Sequence, residues 1–126
     1  MAQDNTTRIF INKVKAADAI IKANETTALL VIKKSSLKNL KSINIQVSGE
    51  LVSGELYKRT LQISDEPGII ADEIKNKPGW FDITKTNIKK QLATGKTITL
   101  YLLLNPANPM MTMPSRIVFV GKLVMR

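Results

Sequence analysis

Three kinds of side chain in this sequence could do chemistry: ten carboxylates, nineteen lysines and arginines, and five methionines, while histidine and cysteine are absent. Imidazole and thiolate are the usual bases, nucleophiles and transition-metal ligands near neutral pH, so their absence removes Ser-His and Cys-His arrangements and the common zinc sites. The carboxylates show no calcium-loop spacing, and the adjacent pairs Asp65-Glu66 and Asp72-Glu73 read as solvated acidic surface. A carboxylate pair of the glycosidase kind meets only in space and leaves no spacing to read. Gly49 and Gly54 stand between strand patterns with no following helix to aim its amides at a phosphate, so they read as turn glycines. The expectation is a protein that is not an enzyme. It should have no catalytic residue, cofactor, metal or small-molecule substrate, and should work by contact.

Two groups of residues are candidates for that contact. Met110, Met111 and Met113 lie in Asn-Pro-Met-Met-Thr-Met-Pro, where flexible thioethers suit an adaptable docking surface and proline lowers the entropy lost on ordering. As Cu(I) ligands they would lack any Cys or His nearby, and a loop folded over the core is the plainer alternative. The second group is basic. Residues 83 to 126 carry seven positive side chains and no side-chain carboxylate, and residues 64 to 82 carry five carboxylates against Lys75 and Lys77. Lys85, Lys89, Lys90 and Lys96 form a patch that could track a phosphate backbone, with Lys33, Lys34, Lys38 and Lys41 as a possible extension. Lysines that solvate strand edges and discourage aggregation would look the same in sequence. Chain polarity of this kind suits acidic partners or a head-to-tail copy of the same chain.

The elements that must carry these residues are mostly strands. With 126 residues and 44% hydrophobic composition, the chain is sized for one domain over residues 1–126 with one core. Period-two alternation predicts strands at Thr7 to Lys15, with Ile9 and Ile11 opposite Phe10, and at Lys41 to Leu51, with Ile43, Ile45 and Val47 on one face. Tyr57, Arg59, Leu61 and Ile63 alternate in the same way, and Ser53-Gly54 makes 41 to 63 read as a hairpin. Ile98, Leu100, Leu102 and Leu104 share one face of a further strand. In the last strand Ile117, Phe119, Gly121, Leu123 and Met125 are expected on one side, with Val118, Val120 and Val124 opposite and available to a partner. Residues 16 to 23 are read as strand over helix. A helix is expected at Thr84 to Thr94, started by Asp82 or Thr84, with Ile88 and Leu92 on one face and Gly95 at its end. Pro67-Gly68, Pro78-Gly79 and the proline-rich Asn105 to Ser115 punctuate the pattern as turns or loops.

The run Trp80 to Leu103, Trp-Phe-Asp-Ile-Thr followed by a short helical segment, Gly95 and Thr97-Ile-Thr-Leu, resembles part of the β-sandwich modules attached to secreted polysaccharide-degrading enzymes. The resemblance covers under a fifth of the chain. It implies a sandwich and, in family terms, carbohydrate binding, although Trp80 between Gly79 and Phe81 reads as a buried ring.

The expected fold is therefore all-β, an antiparallel β-sandwich of immunoglobulin-like or jelly-roll-like form with one short helix in a crossover loop. The expected function is that of a basic structural subunit in a multi-copy particle such as a bacteriophage virion, capsid-associated or in the tail. Its partners would be other protein subunits in a homo- or hetero-oligomer. Nucleic-acid binding through the lysines is the second expectation and carbohydrate binding the third. No membrane span and no export signal are visible, which suits a cytoplasmic or virion location.

Overall fold

The computed structural model describes residues 4–49, 57–64, 70–86, 88–108 and 115–126. Among these residues nine strands form two sheets. β1 (Asn5–Ile11), β2 (Val14–Ile21), β4 (Ile43–Ser48) and β7 (Trp80–Asp82) make a four-stranded sheet in the order β2-β1-β4-β7. β3 (Leu29–Ile32), β5 (Tyr57–Ile63), β6 (Ile70–Asp72), β8 (Ile98–Pro106) and β9 (Arg116–Met125) make a five-stranded sheet in the order β3-β9-β8-β5-β6. The chain is an all-β sandwich. A short 3-10 turn at Lys34–Leu37 and one six-residue helix, α1 (Ile88–Ala93), are the helical pieces among the described residues. All pairings are antiparallel except β3 against β9, which is parallel, so the larger sheet is mixed.

The alternation read from the sequence places the core directly. Ile9, Ile11, Ile43, Ile45 and Val47 project from the smaller sheet onto Leu30, Ile32, Leu61, Ile63, Ile98, Leu100, Leu102 and Leu104 of the larger. Phe81, fully buried, closes the layer from β7, and Ile88 and Leu92 of α1 cover its end. Each such side chain contributes on the order of 2 kcal/mol by leaving water. α1 is shorter than the expected Thr84 to Thr94: it starts at Ile88, so neither Asp82 nor Thr84 caps it, and only its end follows the expectation. Asp82 accepts hydrogen bonds from the Thr84 N–H and hydroxyl, and Gly95 ends the helix at φ 82°.

Three local expectations are corrected. Residues 41 to 63 do not form a hairpin: β4 lies in one sheet and β5 in the other. Thr7 to Lys15 is not one strand, because Asn12 and Lys13 both take positive φ, 52° and 68°, and turn β1 into β2. The sequence signal for that turn was Asn12, the residue type that best tolerates the left-handed region after glycine.

The third correction concerns the last strand. The register between β8 and β9 slips between Leu100 and Tyr101, which face Gly121 and Phe119 and leave Val120 as an extra residue. This bulge reverses the alternation. Ile117 and Phe119 face outward with Leu103 and Tyr101, whereas Val118 packs against the core and Val120 is fully buried. Gly121 takes φ 136°, and a Cβ there would lie 2.7 Å from Leu30 Cδ1. Backbone conformation and close approach both demand glycine.

Two stability predictions follow from this geometry. Gly121→Ala is expected to destabilise by more than about 1 kcal/mol in urea unfolding, because strain and overlap act together. Thr7, fully buried between Ala19 and Val47, has a hydroxyl with no hydrogen-bond partner among the described residues. Thr7→Val, similar in shape and without the hydroxyl, is expected to stabilise by about 1 kcal/mol in the same measurement.

Candidate interaction surfaces and the inter-sheet ion pair

The outer face of the five-stranded sheet is apolar over much of its area. Along β3, Leu29 and Val31 point away from the core and are 41% and 39% exposed. Val31 pairs with Val124 on β9, Ile117 pairs with Leu103 on β8, and Ile117 is 70% exposed. Between them Phe119 meets Tyr101 edge to face, ring centroids 6.2 Å apart. Single exposed aliphatics are ordinary, but here several share one sheet face in two groups, Leu29 and Val31 with Val124 and Ile117 with Leu103, Phe119 and Tyr101, with Lys122 and Thr99 between the groups; clustering of this kind marks contact sites. Of the three valines expected to meet a partner, Val124 lies on this face. Val118 and Val120 do not, because the bulge turns them inward. Met110, Met111 and Met113 fall outside the described residues.

The opposite outer face, on the four-stranded sheet, is mostly polar, with one aromatic pair and the exposed Ile20. Phe10 and Trp80 lie 5.1 Å apart, and the Lys77 ammonium sits 5.6 Å from the Trp80 ring centre. Trp80 is half-buried and not interior as its neighbours suggested; Phe81, one residue on, takes the core position. The Trp80 ring is already engaged by these two neighbours. Arg8 completes the face by donating to Gln46 and Ser48.

Charge is sorted by the topology. One end of the sandwich holds the β1–β2 turn, the exits of β3 and β7, the entry to β4 and α1. Asn12 ties the turn to the β4 entry: its side-chain oxygen accepts from the Lys41 and Ser42 N–H groups, and its amide donates to the Asn39 carbonyl. Lys13, Lys38 and Lys41 are thereby brought together. Lys33 and Lys34 leave β3 alongside the end of β9, where the Lys34 N–H donates to the Arg126 carbonyl. Lys85 follows β7, whose neighbouring Ile83 N–H and Thr84 hydroxyl bond the backbone of Ile43; Lys89, Lys90 and Lys96 stand on and just after α1. All nine lysines are exposed, and none has an ion-pair partner among the described residues. The described carboxylates nearby are occupied: Asp82 accepts from Thr84, and Asp18 pairs with Lys15 at 3.0 Å.

At the opposite side of the molecule, one pair of charges joins the two sheets. Arg59 on β5 is 8% exposed and forms a bidentate ion pair with Glu73, its Nη2 3.0 Å from Glu73 Oε1. Glu73 follows β6 and bridges to Phe81 of β7, and it also accepts from the Gly79 N–H at 2.9 Å. Glu73 is thus no solvated surface charge, contrary to its reading in sequence. The signal available there was Arg59, a cation at an inward position of a strand. Among the described residues no group of three or more His, Cys, Asp or Glu side chains could hold a metal ion, and no helix is long and apolar enough to cross a membrane.

No protein-family model matches this chain, and searches of curated proteins and of solved structures return no match.

Burial pushes the Glu73 carboxyl up, but the Arg59 hydrogen bonds, the Gly79 N–H and the Arg59 charge outweigh it and bring its pKa below the ordinary 4.5. A carboxyl held lower in the folded than in the unfolded chain adds stability that is complete above about pH 4.5 and is lost as pH falls towards the folded value. Glu73→Gln is expected to cost about 2 kcal/mol at pH 7 by leaving Arg59 without its counter-charge. Urea unfolding from pH 7 to pH 3 should show the difference between variant and wild type shrinking below pH 4.5; a constant difference would contradict this role for Glu73.

Proposed function

We propose that this chain is a non-enzymatic structural subunit that associates with further copies of itself in a multi-copy particle, of the kind a bacteriophage virion or tail is built from. The observation that supports the reading most is the apolar outer face of the five-stranded sheet, from Leu29 and Val31 on β3 across Val124 and Ile117 on β9 to Leu103 on β8. A sheet that already buries one apolar face needs a reason to carry a second, and a partner surface supplies one. A copy of the same chain fits as occupant, because a two-fold axis lying between two such faces sets aliphatic rows against aliphatic rows in sheet-on-sheet packing about 10 Å thick. Lys58 and Asp72 give that contact a polar border, and Lys122 beside Thr99 adds a polar group between its two aliphatic parts.

Multi-angle light scattering at working concentration is the test. The wild-type chain is expected to run as a multimer. Replacement of Val31 and Ile117 by lysine, both outward-facing and exposed, should give monomers with unchanged circular dichroism and thermal midpoint. A wild-type chain that is strictly monomeric and binds no other particle component would overturn the proposal.

A further inference from the structure

From the basic end of the sandwich we infer a second, separate activity: this end binds the phosphate backbone of duplex nucleic acid without regard to sequence. The nine lysines gathered there come from four stretches of chain as far apart as Lys13 and Lys96, and the hydrogen bonds of Asn12, Lys34 and Thr84 hold those stretches together. A surface of this kind, where Asp82 is the described carboxylate that stands among nine lysines, concentrates counter-ions that a polyphosphate would release.

What lies between the lysines distinguishes among polyanions. The intervening exposed or half-buried side chains are small hydroxyls and amides, among them Ser35, Ser36, Asn39 and Thr97. These donate hydrogen bonds to phosphate and sugar oxygens. An anionic membrane is favoured by aromatic or long aliphatic side chains that enter the interface, and the exposed large hydrophobics other than Val14 lie on the sheet faces and the far end. A single strand is favoured by aromatic platforms for its bases. The described aromatics lie elsewhere: Phe10 with Trp80 on the outer face of the smaller sheet, Tyr101 with Phe119 on that of the larger, Phe81 in the core and Tyr57 at the far end of β5. Charge and hydroxyl groups without stacking surfaces suit a duplex, whose bases are already stacked and whose backbone is the part presented.

The test is a fluorescence-anisotropy titration of two unrelated 20-base-pair DNA duplexes from 50 to 200 mM salt. Both should bind alike, and about five phosphate contacts would weaken affinity roughly 500-fold over that range. Lys34→Glu, Lys41→Glu and Lys89→Glu combined should abolish binding, whereas Lys22→Glu, Lys75→Glu and Lys77→Glu combined, which leave the same net charge, should change it by less than about three-fold. Loss in both triple variants alike, tighter binding to single strands, binding to phosphatidylserine-containing vesicles as tight as to duplex, or no duplex binding at 50 mM salt would each overturn the inference. Because the outer-face variants at Val31 and Ile117 leave these lysines in place, failure here is distinguishable from failure of self-association.

Discussion

Two sheets of this size hold together because nearly every inward position is aliphatic. Isoleucine dominates the smaller sheet and leucine the larger, and both are branched enough to interlock across the layer. That dry layer orders everything outside it. It fixes which strand faces are spent on the core and which are left for solvent or partner, and it pulls the connecting segments over the two open ends. Where the layer is imperfect, at the Thr7 hydroxyl, which has no partner among the described residues, and at the bulge at Val120, the strands are held by neighbours on both sides and the defect is tolerated.

The edge where the sheets approach is handled differently. β6 and β7 are short, and an aliphatic contact there would be open to water. Arg59 and Glu73 provide a directional link instead, with the Gly79 N–H taking up a further lone pair of the carboxylate. An ion pair of this kind adds little net stability over a hydrophobic contact, but removing one member is costly, and that makes the joint specific. Lys58, Asp72, Lys75 and Lys77 flank this joint, and most of the other described lysines lie away from it. Lysines crowd the end formed by α1 and the β1–β2 turn, and the outer face of the larger sheet carries Leu29, Val31, Ile117 and Val124.

The same partition gives the two proposed surfaces different physics. Self-association through the β3, β9 and β8 face rests on removal of apolar area from water and depends weakly on salt. Contact through the lysine-rich end rests on counter-ion release and depends steeply on it. A subunit that presents both at once would coat a nucleic acid with one end while touching its neighbours with a face.

Much of the strand content was readable from the residues alone, because side chains alternate strictly in a strand and a core must be apolar: Ile9 and Ile11, Ile43 to Val47 and Ile98 to Leu104 all lie where the alternation puts them. The end of the helix at Gly95 was readable for a local reason as well, a left-handed stop, whereas its start was not, because α1 begins at Ile88, beyond Asp82 and Thr84. Sheet membership was not readable, since β4 and β5 alternate alike whether they pair or part. The facing of Val118 and Val120 was hidden too, because a single unpaired residue in β9 is a property of its register with β8 and leaves no trace in period-two spacing. The ion pair of Arg59 with Glu73 and the gathering of Lys13, Lys34 and Lys89 at one end join residues far apart in sequence. Only the packing of one sheet on the other decides such distances.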